Sequence, residues 1–332
     1  MCSVGDPAAH VRARAHTRGG ARKRELDAPA LTFPAMALLE EVRRHCAEIA
    51  ARTRCVRIDP DAASALEPDR EGLPEPLDPE SHYLEGEPAD VADYLLALDA
   101  INFGSGWFPT LRKRSEHGRT LSGYFTVAWA LADHVRAHGA PTAAWLREVQ
   151  TQEIASILGQ RADLELMSLY AQALRELGRF LGARRALDLV AECGDSAERL
   201  AEALARGMAM FDDRGLYKRA QIVASDLALA GVASFADLED LTIFADNLVP
   251  HVLRCEGVLV YDRSLAARID AGQTLPLGGA EHEIRACAVH AGELISQRTG
   301  IPPRLLDGWL WNRGQAPGYK AHPRHRCRTV FY

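Results

Sequence analysis

Apolar residues recur along most of the chain with the period of an α-helix. Leu38, Leu39, Val42, Cys46 and Ile49 follow the spacing that lines one helical face, and Met36 opens that stretch. Pro88, at a first-turn position where its missing N–H is not needed, starts a helix through Val91, Tyr94, Leu95 and Leu98. That helix ends where Gly104 and Gly106 break the pattern. Ser122-Gly123-Tyr124 opens the next one, and Gly139 and Pro141 stop it. Short helices follow within 142–158, then a long amphipathic segment over 164–190 interrupted near Gly182. The same reading predicts helices over 196–207, 217–230, 236–254, 264–270, 280–298 and 303–313. Residues 56–86 are rich in Pro, Asp and Glu and read as an irregular connection with at most short helices. Strand-like text is confined to 257–261 and 328–332. Short helices joined by short turns predict a mainly α fold. The expectation is a single helical globule over 36–332 with at most a few short strands.

Composition narrows the class. With 47% hydrophobic and 25% charged residues, the chain reads as an ordinary soluble globular protein. A net charge of -6 argues against a general nucleic-acid binder, though it leaves room for a local basic pocket. The seven cysteines are odd in number and widely spaced, with no C-x-x-C pair. That pattern argues against a disulfide framework or a structural zinc site and suits thiols in a reducing cytosol. No apolar run approaches the roughly 20 residues of a membrane span, so a cytoplasmic protein is expected. The first 36 residues differ: Arg12, Arg14, Arg18, Arg22, Lys23 and Arg24 stand against Asp6, Glu25 and Asp27. They lack the apolar core of a secretory signal. Residues 1–35 read as a disordered or non-native extension, with Met36 a candidate start.

The common phosphate, hydrolase and metalloprotease motifs are absent, and Gly104-Ser105-Gly106 reads as a helix end and turn. Four other regions carry chemistry. In 241–250, Asp246 sits in an otherwise apolar run beside Phe244 and four residues before Pro250. A desolvated carboxylate carries a cost that is tolerated at a site; the alternative is that it caps or bonds a neighbouring segment. Tyr217-Lys218-Arg219-Ala220-Gln221 places two cations in the first turn of a helix, against the helix dipole. That suits an anion held by backbone N–H groups and Lys218, or else a solvated basic helix start. Asp307 and Trp311 are four residues apart on one helical face. A carboxylate beside an indole suits a flat nitrogen base, or else ordinary amphipathic packing. Finally, His322, Arg324, His325, Arg326 and Arg328 form either a phosphate pocket or a basic tail, and the apolar ending Val330-Phe331-Tyr332 argues for a docked one.

In order along the chain, these residues resemble the queuosine salvage protein family, the queuosine 5′-phosphate N-glycosylases. The resemblance runs from about residue 40 to Tyr332. It is carried by Asp99-Ala100-Ile101-Asn102-Phe103 with Trp107, by Ser122-Gly123-Tyr124, by 217–221 and by 242–246. Glu283-Ile284-Arg285, Leu306-Asp307 with Leu310-Trp311, and His325-Arg326 followed by Arg328 and Tyr332 complete the set. The resemblance implies a fold like the helical DNA glycosylases. It implies hydrolysis of queuosine 5′-monophosphate to the deazapurine base queuine and ribose 5-phosphate. It implies that Asp246 is catalytic, that Phe244 and His82 contact the base, and that Asp307 meets the base edge. Where some members carry an acid after the Leu-Trp pair, this chain has Asn312.

The chemistry agrees. Breaking an N-glycosidic bond builds positive charge at C1′ and negative charge on the base. A carboxylate near C1′ stabilises that state or attacks to form a covalent intermediate. His82 is the expected proton source for the base, Asp307 the acceptor for its N–H groups, and Trp311 a stacking surface. Lys218, helped by Arg326 or Arg328, is the expected holder of the 5′-phosphate. No metal or cofactor is expected. The expected protein is a monomer acting on a small nucleotide, with no stable nucleic-acid partner and no membrane. Two rivals remain open. One is a glycosylase acting on a base flipped from DNA or RNA, which the acidic charge disfavours. The other is a deazapurine-binding protein without chemistry, which would need Trp311 and Asp307 but not Asp246.

Overall fold

Five helix starts are fixed by one device. Asp59, Ser122, Thr142, Ser196 and Asp262 each accept, on a side-chain oxygen, the backbone N–H three residues ahead. The computed structural model describes residues 37–70 and 73–332; the expectations for residues 1–35 and for Met36 lie outside them. The helices are α1 (Leu38–Ala50), α2 (Pro60–Ala65), α3 (Pro88–Ala100), α4 (Gly123–His138), α5 (Ala143–Glu148), α6 (Thr151–Ile157), α7 (Glu165–Leu181) and α8 (Ala186–Glu192). After them come α9 (Ala197–Gly207), α10 (Lys218–Leu229), α11 (Val249–Cys255), α12 (Arg263–Asp270), α13 (Ala280–Thr299), α14 (Pro303–Arg313) and α15 (Pro317–Lys320). The mainly α reading therefore holds.

The strands are short. β1 (Val56–Ile58) pairs antiparallel with β4 (Leu259–Tyr261), with Val56 opposite Tyr261, and β2 (Ser115–Glu116) with β3 (Arg119–Thr120) forms a hairpin. α1 buries the predicted stripe of Leu38, Leu39, Val42 and Cys46 and packs on α13. α7 packs on α5, and α10 is clasped between α9 and α3. α3 and α10 are buried on nearly every side, acids included, so they form the spine beside which the site is built. Of the six cysteines described, all are free, and Cys46, Cys193, Cys287 and Cys327 are buried.

Two expectations are corrected. The predicted helix over 236–254 does not form as one piece. After a single turn at Leu238–Asp240 the chain runs irregularly through 241–248 and turns helical only at α11. Its backbone groups are claimed by side chains from elsewhere. Gln221 Oε1 accepts Thr242 N–H at 3.0 Å, Asp307 Oδ1 accepts Phe244 N–H at 2.8 Å, and Arg285 Nε donates to Ala245 O at 2.7 Å. Asp246 Oδ1 accepts Leu248 N–H at 2.6 Å and Val249 N–H at 2.9 Å, starting α11. The second correction is at 328–332, which forms no strand. It docks instead through Gly104 N–H to Tyr332 O at 3.0 Å, and Tyr332 lies under the Arg285 guanidinium at 4.4 Å.

Candidate active site

One face of α10 forms a wall. Lys218, Ile222, Ser225, Asp226 and Leu229 recur at helical spacing and line a cavity of about 320 Å³. Across from them α14 contributes Leu305, Asp307 and Trp311, and the start of α4 contributes Tyr124 and Phe125. Phe244 and Asp246 enter from the irregular segment, and His82 with residues 73–78 closes another side. Trp311 is fixed edge-on by Tyr124 at 5.9 Å and Phe125 at 5.7 Å between ring centroids. A second chamber of about 260 Å³ adjoins the first. It is lined by Lys113, Gln315, His322, Arg324 and Arg326, and shares Asp246, Tyr124 and Trp311 with the first.

The two chambers differ in character, the larger rich in carboxyl groups and the smaller in cations. Around the larger one Asp99, Asp226, Asp246 and Asp307 face a single lysine, Lys218. Lys218 is 5% exposed; burial pulls its pKa down, while Asp246, Asp99 and Asp307 push it up. Burial drives Asp307 well above the usual carboxylate range, and Asp246 adds to the effect. Burial also raises Asp99, to about 7. In the second chamber Arg324 takes no hydrogen bond or ion pair among the described residues. Burial lowers its pKa, and Asp246 opposes that shift.

Most of the expected residues converge on the two chambers, and the partners of His82, Lys218 and Arg328 differ from those expected. His82 lies on the cavity wall and is buried, but its ring is committed. Its Nδ1 lies 2.9 Å from Asp78 O, a carbonyl that can only accept, so Nδ1 carries the proton. Nε2 then accepts from the Tyr124 hydroxyl at 2.9 Å. Burial also lowers the His82 pKa. His82, the expected proton source, thus has its N–H on Asp78 O and its other ring nitrogen on the Tyr124 hydroxyl.

Lys218, the expected phosphate holder, lines the larger chamber among carboxylates and does not line the cationic one. The anion expected at the start of α10 is the protein's own Asp213. Its Oδ2 lies 3.4 Å from Lys218 N, and both its oxygens pair with Arg285, at 3.0 and 2.5 Å. Arg219 is spent on the carbonyl of Ala100 and on the rings of Phe103 and Phe211. Arg328 lies away from both chambers, over Trp107 and 3.7 Å from Glu165, because the docked tail turns alternate residues outward. Arg326 does line the cationic chamber and is held by Gly272 O at 2.8 Å.

Asp226 and Lys113 were not singled out from sequence, Asp99 and Tyr124 stood there only as carriers of the resemblance, and Arg324 only as one of the cations of the terminal segment. For two of them the signal was present: Asp99 and Asp226, like Asp246, are acids inside apolar helical text.

A helical protein with an acidic, aromatic-walled chamber adjoining a cationic one has the form of a pocket for a small molecule. The comparisons with known proteins give the family. Residues 81–332 match the model described as queuosine salvage protein. The chain is 34% identical over 311 residues to a Sphaerobacter thermophilus protein named queuosine 5′-phosphate N-glycosylase/hydrolase, covering 86% of this chain and 95% of that one. Proteins of the same name from Bos taurus and Dictyostelium discoideum are 28% and 29% identical, over 76% and 73% of this chain and 85% and 78% of theirs. The chain belongs to the queuosine salvage protein family.

Proposed function

We propose that this protein hydrolyses the N-glycosidic bond of queuosine 5′-monophosphate, releasing queuine for salvage and leaving ribose 5-phosphate. The observation that carries the reading is the position of Asp246, on the wall shared by the acidic and the cationic chamber. A nucleoside 5′-monophosphate has the same order: base, then C1′, then phosphate. The family membership and the names of the relatives support the same reaction. In this reading the base lies in the larger chamber against Phe244 and Trp311. The Asp307 oxygen not taken by Phe244 N–H meets the base edge. Asp246 uses one oxygen to start α11 and turns the other to C1′, where it stabilises the developing cation or attacks it. Its anchoring to two backbone N–H groups pre-organises it, so little reorganisation is needed during reaction. Arg324, Arg326 and Lys113 receive the phosphate. The reading includes no metal or cofactor, a monomer, and a cytoplasmic setting.

The test is chromatography of reactions with queuosine 5′-monophosphate and with queuosine, in EDTA. Queuine released mainly from the monophosphate is the expected result. No release from either, with folded protein, would leave the binding-only reading. Asp246→Asn keeps the fold and loses base release; turnover at the wild-type rate would remove Asp246 from the mechanism.

A further inference from the structure

Asp226 lies on the cavity face of α10, eight residues beyond Lys218. At 1.5 Å per residue its Cα stands about 12 Å further along the wall. In the reading above, where Asp246 meets C1′ and its charge acts on Lys218, this sets Asp226 toward the end of the chamber remote from C1′. The Asp226 side chain is 6% exposed and takes no hydrogen bond or ion pair among the described residues. Behind it Asp99, on α3, is fully buried with Oδ2 unpartnered, and α3 packs directly on α10. Two acids buried together with one shared lysine do not both ionise; the pair keeps a proton. Asp99 lines neither chamber, so the member of the pair that can hand a proton to a ligand there is Asp226.

The proposed reaction still lacks such a donor. His82 has its only N–H on Asp78 O. Asp307 accepts Phe244 N–H on one oxygen and, in the reading above, the N–H groups of the base edge on the other, so both its oxygens are committed as acceptors. We propose that Asp226 is the acid that protonates the departing base, an inference that rests on the glycosidic reading above. A 7-deazapurine has carbon where a purine has N7, so no imidazole-type nitrogen is available to take the proton. The remaining acceptor at the far end of the base is the carbonyl oxygen of the six-membered ring, conjugated with the departing nitrogen. As the C1′–N9 bond breaks, its electron pair moves into the base and the Asp226 proton passes to that oxygen. The base leaves as a neutral tautomer that returns to the keto form in water. Water adds its oxygen to C1′ and gives up a proton, and Asp226 is reprotonated. Burial and the neighbouring Asp99 and Asp307 hold the Asp226 pKa well above the ordinary range, which keeps the proton in place near neutrality.

The experiment compares wild type and Asp226→Asn on two substrates. One is queuosine 5′-monophosphate. The other is 4-nitrophenyl ribofuranoside 5-phosphate, whose phenolate leaves without a proton. The expected result is a fall in kcat of about 100-fold or more on the nucleotide, with near wild-type rates on the nitrophenyl compound. Those rates would also show that the variant folds. Equal losses on both substrates, or no loss on either, would overturn the assignment. A second readout is the pH profile on the nucleotide. Wild-type kcat falls on the basic side, and the residual activity of Asp226→Asn does not; an unchanged basic limb in the variant overturns the proposal too. Wild type inert on both substrates refutes the glycosidic reading instead.

Discussion

Lys218 and Arg324 are both partly or wholly desolvated cations that feel Asp246, yet they stand in different company. Lys218 is hemmed in by Asp99, Asp246 and Asp307, so its charge is already matched from within the protein. Arg324 has no protein partner among the described residues and faces the cationic chamber with Lys113 and Arg326. An arginine fork without a partner is the better phosphate ligand, since two parallel N–H groups fit a phosphate edge. Removing a charge-assisted bond of this kind costs about 1.5–3 kcal/mol, roughly a tenfold to hundredfold change. Arg324→Ala is therefore expected to raise KM for the 5′-monophosphate by that factor and to leave the nucleoside unaffected. Lys218→Met is expected to lower kcat on both, because it strips the counter-ion from the reacting end of the chamber. Steady-state kinetics on the two substrates checks the pair. A phosphate-specific loss in Lys218→Met, with none in Arg324→Ala, would restore the role that the helix-start position of Lys218 suggested.

At the scale of the element, the segment 241–248 decides the site, and nothing local decides the segment. Its text is apolar enough for a buried helix or an extended run. What settles the matter is Gln221 from α10, Arg285 from α13 and Asp307 from α14, each taking one of its backbone groups. The side chains lie 21 to 63 residues away in the chain, beyond the reach of any periodicity. The surrounding helices were legible for the opposite reason. α1, α3, α4, α7 and α13 bury stripes that their own spacing writes into the sequence, with caps such as Ser122 three residues before the bonded N–H. The same division runs through the site. Asp246, Phe244, Asp307 and Trp311 were readable as acids and aromatics placed against pattern. The partners of His82 and the carboxyls around Lys218 were not, because they come from residues remote in the chain.

The dependence of the segment on Gln221 is testable. Gln221 is fully buried and both donates to and accepts from Thr242. Gln221→Leu keeps the volume and leaves a buried N–H unpaired, a loss of about 1–3 kcal/mol. Thermal unfolding is expected to fall by several degrees, at about 2–4 °C per kcal/mol in a chain of this class. Turnover should fall with it as Phe244 and Asp246 lose their seat. An unchanged midpoint would mean that Asp307 and Arg285 hold the segment without help.

Across the whole molecule, the long-range frame rests on buried groups that resist acid. Arg285 ties Asp213, Ala245 and the Tyr332 ring together, binding α13 to the site and to the docked tail. Beside it lie His282, paired Nε2 to Nε2 with His45 at 2.8 Å, and His325, whose ring nitrogens have no partner among the described residues. Burial, then Arg285, then His45 hold the His282 pKa down to about 4. Burial, then Arg285 and His251, hold His325 to about 3. In the unfolded chain a histidine titrates near 6.5. Above that pH both states are neutral and nothing is lost. As pH falls from 6.5 toward 4 the unfolded chain takes up protons that the folded one refuses, so stability drops across that window. Asp99 acts in the other direction. Its folded pKa of about 7 lies above the unfolded value, so its contribution is complete at low pH and is lost as pH rises toward 7. The wild-type slope is a sum of both, and only a comparison at each pH isolates one group. His282→Gln keeps a hydrogen-bonding side chain toward His45 and removes the titration. Its urea midpoint is expected to fall less than that of wild type between pH 7 and pH 5. Parallel curves would mean that the His45–His282 pair opens to solvent before it protonates, and that the acid sensitivity of the fold lies at His325 and the carboxylates instead.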